Sequence, residues 1–192
     1  MAAAPDAPPP ADFSWKKLFA EQLADKKAGG AAALIDVDAA LKGKHVAVYF
    51  SAHWCPPCRA FTPQLANTYA KLKKDGKDFE VVFVSMDRNQ EQFDDYFSSM
   101  PWLAVPFQDD QLRSVLTRKF NVQGIPQLVM LAPDSTVLSA NARGAVAIDP
   151  SGEKFPWAGA TEPKAFPMPW LLLVFLVFWL VNTFLFPPSK KG

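Results

Sequence analysis

The chemistry-bearing residues of this chain are concentrated in Trp54-Cys55-Pro56-Pro57-Cys58, which contains both cysteines of the 192-residue sequence. Two thiols three positions apart at the start of a helix can close and open a small disulfide. The first lies where unpaired backbone N–H groups and the helix dipole favour a thiolate, so Cys55 is the expected nucleophile. Cys58, one turn inside, is expected to be shielded until a mixed disulfide forms on Cys55; it then attacks that bond and releases the reduced substrate. Pro56 and Pro57 have no N–H, which leaves Cys58 and Arg59 as the main backbone donors near the sulfur, with the Arg59 guanidinium adding positive potential. The Cys55 thiol is therefore expected below about 8.5. Two prolines in the first turn also stiffen the motif, and Trp54 offers substrates an apolar landing surface.

A second feature stands far along the chain. Ile125-Pro126 precedes an apolar run at 127–131, and Pro at a strand entry is where a cis peptide is used. Beside the cysteines, such a bond exposes the Ile125 N–H and C=O for pairing with a substrate strand. Other readings of the same residues stay open. The cysteines with His45 and His53 make half a zinc site, or they are an inert buried pair. His53 reads as an exposed neighbour of the motif, Asp87 as a solvated strand-end carboxylate, Tyr49 and Phe50 as core, and Arg143 as an edge charge unless a ligand is anionic.

The elements that must position these residues follow from the apolar pattern. His45 to Phe50 and Phe79 to Ser85 are continuous apolar runs, read as strands buried on both faces. Between them Phe61, Leu65, Tyr69 and Leu72 have helical spacing up to Asp75-Gly76. Helices are expected over 89–98 and 109–120, the second with Leu112, Val115 and Leu116 on its apolar face. A hairpin is expected over 127–131 and 136–139, and edge strands at 34–37 and 145–148. Asp12 to Lys27 reads as a helix stopped by Gly29-Gly30. The pattern signals an α/β or α+β domain; the fold class adopted, with the family resemblance given below, is α/β with a central mixed sheet flanked by helices.

Lys+Arg 20 against Asp+Glu 19 gives a net charge of +1, too balanced for a nucleic-acid binder that relies on a broad basic field. Two cysteines exclude a disulfide framework or a four-cysteine zinc site. The expected organisation is a Pro/Ala-rich arm (1–11), a helical extension (12–33), the redox domain (34–157), a Pro-rich linker (158–169), an apolar stretch (170–186) and a short tail (187–192). Trp170 to Phe186 has no charged residue; as a helix it spans roughly 25 Å, enough for a thin bilayer. With no secretory signal pattern at Met1 to Ala11, this reads as a C-terminal tail anchor with the redox domain on the cytosolic side. A buried core helix and an association helix are the alternatives.

Tyr49-Phe50-Ser51-Ala52-His53-Trp54-Cys55-Pro56-Pro57-Cys58-Arg59, followed by Phe61-Thr62-Pro63, resembles the tryparedoxin and nucleoredoxin branch of the thioredoxin superfamily. The resemblance continues through Phe79 to Asp87, Tyr96 to Phe107, Gly124-Ile125-Pro126, and Asp149-Pro150 to Phe155-Pro156-Trp157. It implies a thioredoxin fold, a cis Pro126, and reversible dithiol–disulfide exchange through a redox-active Cys55–Cys58 pair supported by Trp54, Pro56, Pro57, Arg59 and Pro126. It also implies substrate contacts at Trp54, Ile125 and Pro126, and at Arg143 a basic position facing a donor's carboxylates. No bound cofactor or metal is implied.

Tryparedoxins take electrons from trypanothione and pass them to peroxiredoxin-type and glutathione-peroxidase-type peroxidases, whereas animal nucleoredoxins are longer and have regulatory partners. A single domain of this length resembles the tryparedoxins, some of which carry a C-terminal anchor. The short anchor followed by Lys190 and Lys191 resembles those directed to the mitochondrial outer membrane, with the endoplasmic reticulum as the alternative. Two departures stand out. Met86-Asp87-Arg88 replaces a Trp-Asp-Glu run whose aromatic and acid suit a polycationic donor. Tyr49 occupies the place of the buried acid of thioredoxins, so Cys58 must lose its proton by another route, such as water.

Overall fold

The computed structural model describes residues 13–25 and 33–160. In chain order the elements are α1 (Lys16–Phe19), β1 (Gln22–Asp25), β2 (Ala33–Asp36), α2 (Val37–Leu41), β3 (His45–Ser51), α3 (Pro56–Lys74) and β4 (Phe79–Ser85). They continue with α4 (Gln90–Ser98), β5 (Leu103–Ala104), α5 (Asp110–Lys119), β6 (Gln127–Leu131), β7 (Val137–Ser139) and α6 (Arg143–Ile148). The strands form one sheet in the order β2-β1-β5-β4-β3-β6-β7. β3 runs parallel to β4, and β4 to β5, while the remaining pairs are antiparallel. The sheet is mixed, as the apolar pattern predicts.

Side chains alternate across a strand, so β3 and β4 each feed two cores. Ala47, Tyr49, Val81, Phe83, Leu128 and Met130 point to the face covered by α3, α4 and α6. Val46, Val48, Phe50, Val82, Val84 and Val129 point to the other, where Trp15, Phe19, Leu41 and Leu116 pack. Both strands are buried along their full length, which is why their sequences are apolar without interruption. Helix starts follow local chemistry: the Asp36, Asn89 and Asp109 side chains accept from the backbone N–H groups of Ala39, Gln92 and Leu112, capping α2, α4 and α5.

Three expectations are corrected. The helix expected over 12–27 is confined among the described residues to Lys16–Phe19. After it the chain turns into β1, whose Leu23 and Ala24 are buried and whose backbone pairs with both β2 and β5. The strand expected at 145–148 is the last part of a helix, α6, which packs Val146 onto α3's side of the sheet; a four-residue apolar run carries no period to tell the two apart. The helix expected to start at the cysteine motif does so: Cys55 caps α3, and Pro56 and Pro57 form its first turn. Val115, expected on the apolar face of α5, is 41% exposed, and Leu116 alone of that helix is fully buried. The segments at 1–11, 161–169, 170–186 and 187–192 lie outside the described residues; among those described, no helix is long and apolar enough to cross a membrane.

The far end of the domain is held by one carboxylate. Asp149 accepts from the Glu153 and Lys154 amides at 3.0 and 2.8 Å and from the Trp157 indole at 2.9 Å. Burial pushes its pKa up, but the donors, led by the Lys154 amide and the Trp157 indole, outweigh it and hold the carboxyl below its usual range. Gly152 in the same loop has φ +72°, and a Cβ there would meet Leu72 Cδ2 at 2.6 Å.

Candidate active site

Cys55 is the residue before α3, extended at φ −95° and ψ 109°, and Pro56 and Pro57 open the helix. Their missing amides cost nothing there, because first-turn amides have no helical acceptor. Cys55 and Cys58 form a disulfide with Cα atoms 5.2 Å apart. Cys55 retains 5% exposure and Cys58 none, the order of shielding expected from their places in the helix.

The peptide bond Ile125–Pro126 is cis, as expected, and so is Phe155–Pro156. The Ile125 carbonyl oxygen lies 3.7 Å from Cys55 Sγ, and Ile125 and Met86 pack against the small cluster of Ala52, Cys55 and Cys58. The Ile125 backbone therefore lies directly beside the Cys55 sulfur.

Trp54 is 44% exposed. Its indole N–H donates to the Met86 carbonyl at 3.0 Å, and the Arg88 guanidinium stands 5.5 Å from its ring centre. Both residues of the departure from the Trp-Asp-Glu run thus touch the exposed aromatic. Asp87 between them is buried, not solvated: its carboxylate accepts from the His53 amide at 2.7 Å and the Ser85 hydroxyl at 2.8 Å. His53 is half-buried and stacks on Tyr96, with ring centres 5.5 Å apart. Arg59 donates from Nη1 to the His53 carbonyl at 2.7 Å, and its amide is bonded to the Cys55 carbonyl at 3.1 Å. That amide is therefore withdrawn from the donors expected to face the sulfur.

Beneath Cys58 lies a cluster of four buried hydroxyls that the linear reading missed. Thr62 Oγ1 donates to the Cys58 carbonyl at 3.0 Å and lies 2.8 Å from Tyr49 Oη and 2.5 Å from Tyr96 Oη. Ser51 Oγ donates to Tyr49 Oη at 2.9 Å and lies 3.1 Å from Tyr96 Oη. Burial first, then the neighbouring Tyr96, pushes the Tyr49 phenol far above its usual range, so it stays a neutral hydroxyl at the place where thioredoxins carry a buried acid. Alternation along β3 puts Tyr49 and Ser51 on one face and is visible in sequence; Thr62 and Tyr96 arrive from α3 and α4, which is not.

Arg143 opens α6, half-buried, its amide bonded to Asn141 Oδ1 at 3.2 Å; the same oxygen lies 3.4 Å from the Leu128 amide, two residues past Pro126. No described contact joins the Arg143 side chain to the disulfide, Trp54 or Pro126.

The chain is similar to known proteins. Residues 43–137 match the family profile described as thioredoxin-like. Tryparedoxin of Trypanosoma brucei brucei is 48% identical over 118 residues, which cover 61% of this chain and 81% of that protein. The chain belongs to the thioredoxin-like family. Within it, nucleoredoxin of Homo sapiens is 45% identical over 153 residues, covering 79% of this chain and 35% of the nucleoredoxin. The chain thus spans about a third of the length of that relative. A solved structure of tryparedoxin II complexed with glutathionylspermidine superposes with a TM-score of 0.67 at 42% identity, covering 76% of this chain and 99% of that one. The chain is thus thioredoxin-like, of the tryparedoxin and nucleoredoxin kind, with a Cys55–Cys58 disulfide at the start of α3.

Proposed function

We propose that the protein is a disulfide reductase whose Cys55/Cys58 dithiol passes electrons from trypanothione or a similar low-molecular-weight dithiol to the disulfides of peroxiredoxin-type and glutathione-peroxidase-type peroxidases. The observation that carries this reading is the surroundings of Cys55: a slightly exposed sulfur at a helix start, beside the Ile125 carbonyl and under an exposed Trp54. A donor thiolate attacks Cys55, Cys58 leaves, and a second donor thiol completes the reduction; the dithiol then repeats the exchange on the protein substrate. Arg143 serves as a contact for donor carboxylates. Residues 170–186 anchor the chain by its tail in a membrane, the mitochondrial outer membrane first and the endoplasmic reticulum second, with the redox domain facing the cytosol.

The test is NADPH-coupled disulfide reduction by the full-length protein in detergent, with trypanothione and its reductase, glutathione and its reductase, or thioredoxin reductase as the electron supply. Preference for trypanothione supports the reading, and no turnover with any of them refutes it. A fluorescent N-terminal fusion with and without residues 168–192 tests the anchor and its address.

A second reading is favoured by Arg88 over Trp54, where a polycationic donor meets like charge. In it the protein is a nucleoredoxin-like tethered switch that holds partners and takes electrons from another source. Replacement of both cysteines separates the two: a scaffold keeps its partners, and a reductase loses turnover.

A further inference from the structure

The methionines among the described residues are Met86, Met100 and Met130. Met100 and Met130 are core residues at 1% and 0% exposure, whereas Met86, in the turn after β4, is half-buried. Met86 packs on the cluster of Ala52, Cys55 and Cys58, and it also lines an open cleft of about 410 Å³ with Asp110, Arg113, Ser114, Thr117 and Arg118. Its thioether is thus held between the disulfide and a space that solvent enters. Arg113 forms the inner wall of that cleft. Its side chain is 13% exposed, its Nη1 donates at 2.9 Å to the carbonyl of Ser85, the residue before Met86, its Nη2 engages Asp110, and its guanidinium lies 4.3 Å from the Phe107 ring centre. Its Nε is buried without a partner among the described residues. A buried donor with no acceptor is unfavourable, and an oxygen brought beside it relieves that cost.

We propose that Met86 is an oxidation site: a hydroperoxide entering the cleft converts its thioether to the sulfoxide, whose oxygen accepts from Arg113 Nε, and the new polar group slows exchange at Cys55. In the disulfide neither cysteine carries a thiolate, so neither competes with Met86 for the peroxide. A lone pair of Met86 Sδ attacks one peroxide oxygen and the O–O bond breaks. The departing oxygen takes the proton of the attacking one and leaves as water or an alcohol. The sulfur loses two electrons and the peroxide gains them. The sulfoxide is polar where the thioether was apolar, so the surface that an incoming sulfur meets beside Ala52 becomes costlier to desolvate. The modification stands on the cleft and Arg113, and its effect on exchange rests on the oxidoreductase reading. Because the disulfide form accumulates when donor thiols run short, the oxygen added to Met86 acts as a brake in that state.

The test treats the full-length disulfide form in detergent with hydrogen peroxide, quenches with catalase, and follows the oxygen added to Met86, Met100 and Met130 by peptide mass spectrometry. Met86 is expected to oxidise roughly tenfold faster than either buried methionine. Since its sulfur is open only towards the cleft, the digested peptide is expected to carry mainly one sulfoxide epimer, repaired by one of the two epimer-specific sulfoxide reductases and not by the other. Arg113→Lys, which keeps the charge and removes Nε, is expected to slow Met86 oxidation roughly threefold or more. Stopped-flow reduction of the disulfide by dithiothreitol is expected to slow roughly threefold after oxidation. Met86→Leu, with each rate compared to its own untreated sample, is expected to lose that slowing. Oxidation of Met86 no faster than of Met100 and Met130, equal epimers, an unchanged rate in Arg113→Lys, or exchange that is not slowed overturns the proposal. A disulfide that dithiothreitol fails to reduce before any peroxide is added would instead overturn the oxidoreductase reading.

Discussion

Replacing Thr62 by Val is the most informative perturbation of the layer under Cys58. The two side chains have nearly the same shape, so the change removes a hydroxyl and leaves little cavity. That hydroxyl has three buried partners: the Cys58 carbonyl at 3.0 Å, Tyr49 Oη at 2.8 Å and Tyr96 Oη at 2.5 Å. At about 1 kcal/mol net per bond the sum is roughly 3 kcal/mol. Tyr49 and Tyr96 keep Ser51 as a partner, which brings the expected loss to about 2 kcal/mol. For a body of this size that is a Tm lowered by roughly 6–8 °C. Because the network meets the Cys58 carbonyl and not its sulfur, the loss should be nearly equal in the oxidised and reduced protein. The reduction potential should then stay within about 30 mV, the equivalent of about 1.4 kcal/mol for a two-electron couple. Urea titrations of both redox forms and a glutathione redox titration supply the numbers. An unchanged Tm, or a potential displaced well beyond that margin, would refute the reasoning.

Three further outcomes are expected. Cys58→Ser should abolish turnover and accumulate a mixed disulfide on Cys55, seen as added mass in non-reducing mass spectrometry; Cys55→Ser should trap nothing, and the reverse pattern would exchange the two roles. Asp149→Asn should cost about 1–3 kcal/mol at pH 7, because the amide nitrogen opposes the donors that the carboxylate accepted. The folded-state pKa of Asp149 is lowered, so its contribution is complete above the unfolded carboxyl's pKa of about 3.9 and is lost as pH falls through the folded value. The gap between variant and wild type in urea midpoints should therefore close in strong acid, and a gap constant with pH would contradict the assignment. Gly152→Ala should destabilise by about 1–3 kcal/mol, since it combines a positive φ with a 2.6 Å approach to buried Leu72; a Tm within 1 °C of wild type, taken as roughly the resolution of the melt, would show that the loop relaxes.

How much of this was readable in the sequence depended on whether an element carried its own signal. β3 and β4 are buried on both faces, and their unbroken apolar runs announce it. α3 shows its period in Phe61, Leu65, Tyr69 and Leu72, while residue type and position mark the cysteine pair and Pro126 as candidates and the family resemblance selects among their readings. β1 has no such signal: Gln22 and Asp25 flank two small apolar residues, and pairing with β2 and β5 makes it a strand. β5 is two residues long and exists only through its neighbours. Asp87 looked solvated because a strand-end carboxylate usually is; it is buried because the His53 amide, 34 positions away, needs an acceptor there. The hydroxyl layer and the Arg113 wall join residues from separate helices and strands, and periodicity within one segment does not reveal such meetings.

The turn after β4 makes its contacts in an unusual division of labour. Ser85 offers its carbonyl to Arg113 and its hydroxyl to Asp87, Met86 its carbonyl to Trp54, and Asp87 its carboxylate to the His53 amide. Any residue at 86 presents the same carbonyl, and Arg88 meets Trp54 only across its ring face. Position 88 therefore meets the site only at its surface, whereas the Met86 side chain also packs on the Ala52, Cys55 and Cys58 cluster. Substitutions at 86 and 88 would therefore change the surface around Trp54 while the backbone contacts of the turn to Arg113 and Trp54 persist.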